Sequence, residues 1–303
     1  MTTAIATGST IYPRQRIDYS SPFTRPALKL PGKGRLIVWS VVNIEEWEIT
    51  RPMARQLSPA PQGQSAIPDM PNWTWYEYGM RVGFWRLMRA LKKAKVTPTM
   101  SINARVCEVY PEVTAAARDA GWEFMAHCYV QMPIQQIADR QAEVMQQSID
   151  IIRKATGKPP RGWLGPGLTE TWETPDLLKE DGYDYVADWV LDDQPVWLKT
   201  RTRPIVNIPY TQECNDVAMM LIQHHAASEY HDRAMDQFEQ IYADAEGSAR
   251  VMALVVHPYI MGAPHRLKHF RRIFETIRRR SGVLFWTGEQ ILDWYLTAGP
   301  KAP

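Results

Sequence analysis

Cysteine is scarce in this chain of 303 residues: Cys107, Cys128 and Cys214 are scattered, odd in number and form no C-x-x-C. A disulfide framework or a thiolate zinc centre is therefore not expected, and reduced thiols fit a cytosolic setting. Charge of one sign is missing too. Lys+Arg 35 against Asp+Glu 33 leaves a net +2, which gives no broad electrostatic footprint for nucleic acid or a membrane surface. The longest apolar runs, near Leu36–Val42 and Val251–Val256, are far too short to cross a bilayer. Met1 to Thr10 lacks a basic start followed by an apolar run, so no export signal is expected and the expected location is cytoplasmic. No G-x-G-x-x-G or P-loop follows any apolar run, which argues against a nucleotide site.

What is present in excess is Trp, with 12, and Pro, with 23. Rigid turns and large rings suit a compact enzyme with structured loops, although aromatics also serve as plain core. The first thirty residues are polar and Pro-rich and read as a surface arm, leaving 31–303 as one domain. Strand-like segments then alternate with helical ones. Arg35–Val42, Pro98–Ile102, Trp122–Ala126, Gly162–Leu164, Tyr185–Ala187, Val206–Ile208, Val251–Val256 and Val283–Trp286 read as short strands. Tyr76–Lys95, Glu112–Ala120, Ile134–Thr156, Pro175–Asp181, Glu229–Asp244 (with Ser228 as N-cap), His265–Arg280 and Gly288–Tyr295 read as helices. Between them, Glu48 to about Trp73 reads as a long Pro-rich loop of the kind that shapes a site. Repeated βα units of short strands predict an α/β fold, a distorted parallel (β/α) barrel of about seven strands.

Ionisable residues fall where such strands end. Glu45 and Glu46 follow the first, His127 the third, Asp188 a later one and His257 the strand near the C-terminus. In a parallel barrel these ends share one rim, where active sites lie. Taken singly, a strand-end His or Asp is as readily a hydrogen-bonding or capping residue, and only the joint placement points to a site. Arg161, before Gly162-Trp163-Leu164-Gly165-Pro166-Gly167, could clamp a carbonyl or carboxylate, or form a structural ion pair. Trp163 is a candidate pocket wall, and His224 and His225 are candidate substrate-lining residues. The Arg271, Arg272 and Arg278–Arg280 cluster reads as a solvated helix face or a subunit interface. Cys128 beside His127 is not expected to be a nucleophile, because neighbours on a strand end point apart.

From Leu36 to Tyr295 the order of these motifs resembles the polysaccharide deacetylase family, whose fold is a distorted barrel of parallel strands. The nearest likeness is to its allantoinase-type branch. The likeness is carried by Asn43-Ile44-Glu45-Glu46, by Tyr210-Thr211-Gln212-Glu213-Cys214-Asn215-Asp216, and by His257-Pro258 with Gly262, Pro264, His265 and Arg266. The resemblance implies Glu45 as general base and His257 as general acid. Glu46, His127 and Asp188 complete the implied catalytic set, with Asp188 orienting His257 or Arg161. Gln131, Arg161, Trp163, His224, His225 and His265 are the substrate-binding candidates.

Family members that use a metal hold it with an Asp and two His, the second four residues after the first. Here Glu46 stands at the Asp position and Gln131 at the second His. A neutral amide is a poor ligand for zinc and similar ions, so no cofactor is expected. A weakly held divalent ion at Glu46 and His127 stays open. The resemblance implies a hydrolase of non-peptide carbon–nitrogen bonds in a small amide, cyclic ureide or imide. The rivals are a carbohydrate N-deacetylase, with or without a metal, and a non-catalytic ligand-binding member. The expected partner is a small-molecule substrate, with no nucleic acid and no membrane, and a homo-oligomer is expected.

Overall fold

A computed structural model describes residues 10–63 and 67–303. Its centre is β1 (Leu36–Ile44), nine residues that are all buried. A strand covered on both faces reads as a continuous apolar run, which is what LIVWSVV supplies. Parallel neighbours follow from the βα repeats: β2 (Thr99–Ile102), β3 (Glu123–Ala126), β4 (Gly162–Trp163), β5 (Tyr185–Val186) and β7 (Ile205–Asn207) on one flank, and β8 (Arg250–Val256) on the other. The sheet order is β6-β7-β5-β4-β3-β2-β1-β8, with β6 (Val196–Leu198) at one edge and β9 (Val283–Phe285) pairing the start of β1. The fold is a curled parallel half-barrel. Between the edge strands, Val255 donates its N–H to the Cys214 carbonyl at 3.0 Å, and Val251 donates to that of Asp193 at 2.8 Å.

Alternation along β1 separates two cores. Ile37, Trp39 and Val41 face the barrel interior with Leu164, Tyr185, Val206 and Val255, and the helix Gly288–Ala298 supplies Ile291 and Leu292 to the same cluster. Leu36, Val38, Val42 and Ile44 face the surrounding helices. One contact between helices bears on the rim. At Gly83, in the π-turn Gly79–Gly83, an added Cβ would lie 2.1 Å from the carbonyl oxygen of Pro258, so only glycine lets the helix come this close behind His257.

The structure differs from the sequence expectation at several points. The antiparallel edge strand β6 (Val196–Leu198) carries too short a pattern to show periodicity. The loop after β1 ends earlier than expected, because Asp69 accepts the Asn72 N–H and caps a helix over Met70–Tyr78. The predicted helix Ile134–Thr156 divides into a 3-10 stretch, Ile134–Arg140, kinked at Ile137, and the helix Gln141–Thr156. The helix Ala227–Asp244 takes Ala226, not Ser228, as its N-cap residue. The arm is not loose where it is described. Ile11, Leu28 and Leu30 are buried, and Arg16, itself buried, bonds Asp176 through both nitrogens at 3.1 and 2.5 Å. The part of the arm over 1–9 lies outside the described residues.

Candidate active site

Glu45 is the residue after β1, His127 the residue after β3 and His257 the residue after β8. These are carboxyl ends of parallel strands, so the three side chains meet at one rim. Glu45 Oε1 lies 3.8 Å from His127 Nε2 and 3.5 Å from His257 Nε2. All three side chains are nearly inaccessible to solvent. Gln131 Nε2 donates to Glu45 Oε1 at 2.9 Å, and the Tyr259 hydroxyl donates to Oε2 at 3.3 Å. Glu45, His127, Gln131 and His257 line a cavity of about 150 Å³ with Asn43, Arg55 and Tyr210.

Each imidazole is fixed from behind. His127 Nδ1 is 2.6 Å from the Leu164 carbonyl, so it carries the proton and turns Nε2 toward Glu45. Asn103 holds the His127 carbonyl and the Gln131 amide oxygen together. His257 Nδ1 lies 2.6 Å from Asp216 Oδ1, and its backbone N–H donates to Asp216 Oδ2 at 2.9 Å. Burial alone would lower the pKa of His257. The charges of Asp216 and Glu45 outweigh it and raise the imidazole to about 9. Burial alone would raise Glu45. The His257 charge and hydrogen bonds from both imidazoles hold its carboxyl well below the usual carboxylate range. Near neutral pH the pair is therefore a carboxylate facing an imidazolium: a base able to take a proton from water, beside an acid able to give one to a leaving nitrogen.

Several sequence candidates lie elsewhere. Arg161 immediately precedes β4, so it occupies the opposite rim, where it pairs with Asp184 at 2.9 Å and Asp293 at 2.8 Å. Trp163 points outward because Leu164 points inward, and it packs on Tyr183 in the outer core. His224 is exposed with φ +58, and His225 accepts from Arg233 at 3.3 Å, outside the cavity. His265 is exposed in the first turn of the helix Pro264–Ile277.

Glu46, adjacent to Glu45 on an extended segment, turns away. Its carboxyl lies 3.7 Å from Arg105 and is pushed up to about 7, chiefly by burial. Asp188 orients neither His257 nor Arg161. It accepts the Gly165 N–H at 2.7 Å and lies against Glu170, whose charge adds to burial in raising it far above the ordinary range. Asp188 thus shapes the loop whose Leu164 carbonyl holds His127. Nothing in the sequence alone marks Asp216 as the partner of His257, although it closes the Tyr210–Asp216 segment of the family likeness. Arg55 comes from the long loop, where no spacing singles it out.

The donor set does not suit the metal that the family resemblance brings to mind. Glu46 is held by Arg105, and Gln131 presents its N–H to Glu45 while its oxygen accepts from Asn103. Among the described residues no group of three or more His, Cys, Asp or Glu could hold a metal ion.

A rigid carboxylate and two buried imidazoles on the rim of a curled parallel barrel define a hydrolase-type constellation. A sequence model of the family described as polysaccharide deacetylase matches residues 72–186. A peptidoglycan deacetylase of Helicobacter pylori is 26% identical over 253 residues, 73% of this chain and 86% of that protein. Two crystal structures superpose with TM-scores of 0.85, each covering 96% of this chain and 100% of the other. One is a probable polysaccharide deacetylase from Pseudomonas aeruginosa PAO1 at 27% identity, and the other is Puue allantoinase at 28%. The chain is thus similar, over a family-model match and across most of its length, to members of the polysaccharide deacetylase family, which are hydrolases acting on amide bonds. No helix among the described residues is long and apolar enough to cross a membrane.

Proposed function

We propose that the protein hydrolyses a non-peptide carbon–nitrogen bond in a small amide, with cyclic ureides and imides as the substrate class, without a bound metal. The observation that carries this reading is the Glu45–His257–Asp216 array, combined with a third rim position filled by the Gln131 amide. Glu45 takes a proton from water as the water oxygen bonds to the amide carbon. The His257 Nε2 proton passes to the nitrogen as the carbon–nitrogen bond breaks. The proton on Glu45 then returns to His257 across the 3.5 Å that separates them, which resets the pair. Asp216 keeps Nδ1 protonated throughout, so Nε2 is the nitrogen that gives and receives. Ion pairing weakens Glu45 as a base. In exchange, both groups hold their working protonation states across a broad pH range.

A cavity of about 150 Å³ suits a molecule of a few ring atoms. The likeness to Puue allantoinase supports the cyclic ureide class. A small diffusible substrate also fits a cytoplasmic enzyme. A homo-oligomer belongs to the same reading, and light scattering on the full chain measures it.

The second reading is N-deacetylation of a carbohydrate. The names of the family and of the H. pylori relative favour it, and so does a groove of about 1240 Å³ that shares Tyr210 and Gln212 with the cavity and could lodge a longer chain. A substrate panel of hydantoins, allantoin, cyclic imides and N-acetyl sugars, run before and after chelation, separates the two. Metal-independent turnover of a ring amide, reduced on the order of 10²–10⁴-fold in Glu45→Gln, is expected. Turnover of N-acetyl sugars alone, abolished by chelation, overturns the reading.

A further inference from the structure

Two buried polar atoms of the cavity wall have no hydrogen-bond partner: Arg55 Nη1, a donor, and Asn43 Oδ1, an acceptor. Unmade bonds of this kind are costly, and a native site holds them where a ligand completes them. Both residues are held in place by other contacts. Asn43 Nδ2 donates to the Tyr210 hydroxyl at 3.0 Å, which fixes Oδ1 as the free end of the amide. The Arg55 guanidinium lies 5.8 Å from the Trp47 ring centroid, and the Arg55 carbonyl accepts the Tyr76 hydroxyl at 3.1 Å. The charges around the cavity cancel in sum: Glu45 faces both Arg55 and His257, and Asp216 sits behind His257. A neutral acceptor therefore suits Arg55 better than a free anion.

We infer that Arg55 and Asn43 are a specificity pair that reads a carbonyl and an N–H of the substrate in addition to the amide being cleaved. The inference rests on the reading of the site as a small-amide hydrolase and narrows it. A plain lactam supplies one carbonyl and one N–H, both within the scissile bond. A ureide ring supplies both a second carbonyl and a second N–H, whereas an imide supplies the second carbonyl alone. A charge-assisted hydrogen bond from Arg55 to that second carbonyl discriminates by on the order of 10- to 100-fold.

The test uses the full chain in the Glu45→Gln background, so that binding is measured without turnover, with hydantoin against 2-pyrrolidinone. Hydantoin is expected to bind more tightly than the lactam, and Arg55→Met to weaken hydantoin by 10-fold or more while leaving the lactam within about twofold. Arg55→Lys, which keeps the charge but loses the planar fork, should recover part of the loss. Asn43→Asp, which keeps an acceptor at the same place, serves as a second variant, and melting curves confirm that each variant folds. Equal weakening of both ligands, or none, overturns the inference. The failures are distinguishable: hydantoin binding that depends on Arg55, without hydrolysis by the wild-type chain, refutes the hydrolase reading alone. Hydrolysis of ring amides with no dependence on Arg55 refutes the specificity pair alone.

Discussion

Replacing Asp216 with Asn tests the heart of the site and needs no substrate. Asp216 accepts two hydrogen bonds from His257, one from the ring and one from the backbone, and both partners are fully buried. The distance from the ordinary 6.5 to about 9 is worth on the order of 3 kcal/mol in favour of the imidazolium. Much of that comes from Asp216, against a burial effect that pulls the other way. Asparagine keeps the shape but removes the charge and offers an NH₂ where an acceptor is needed.

The imidazole of His257 should therefore titrate more than one pH unit lower in Asp216→Asn, as read by NMR of the ring protons. The alkaline limb of activity, near pH 9 in the wild type, should move down with it. At pH 7 kcat should fall on the order of 10²–10⁴-fold, through lost protonation and the wrong tautomer. Stability follows with a definite sign. Because folding raises the pKa of His257, its contribution is complete below about 6.5 and is lost as pH rises through about 9. The difference in melting temperature between wild type and Asp216→Asn should accordingly shrink between those values. An unchanged titration with an unchanged alkaline limb would refute the account of His257 as an Asp216-supported acid.

Other variants probe the support around the site. Arg16→Ala should cost about 3–5 kcal/mol in chemical denaturation, since it removes the nearest cation from the buried Asp176 carboxylate and leaves only the Arg201 backbone N–H and its guanidinium at 3.9 Å, and limited proteolysis should then begin in the arm; a cost under about 1 kcal/mol would show that the arm is not pinned there. Gly83→Ala must push the Pro258 carbonyl away, so it should destabilise by about 1–3 kcal/mol and lower kcat more than it raises KM, because His257 adjoins Pro258. Asp188→Asn should become more stable relative to wild type as pH rises from about 5 to 8. Folding raises both Asp188 and Glu170, the latter to about 7, so the wild type carries a growing cost as both ionise. A constant difference across that range would show that the two carboxyls do not raise one another.

The barrel was legible in the residue pattern because β1 and β8 must be apolar throughout to be covered on both faces, and that pattern survives in one dimension. Glu45, His127 and His257 were legible for a related reason: in a parallel barrel, the residue that follows a buried strand lies at the rim. Chain position also carries the error at Arg161, which precedes its strand and so belongs to the opposite rim, and alternation explains why Trp163 faces the helices once Leu164 faces inward. The metal-site departure at Gln131 is a matter of residue type and spacing alone. What supports the chemistry is different. Asp216 reaches His257 across 41 positions of chain, and Arg55 reaches the cavity from a long loop. Glu46 and Glu45 are neighbours whose fates diverge because one finds Arg105 and the other two imidazoles. Such pairings depend on distances between segments far apart in the chain, and only packing sets those distances.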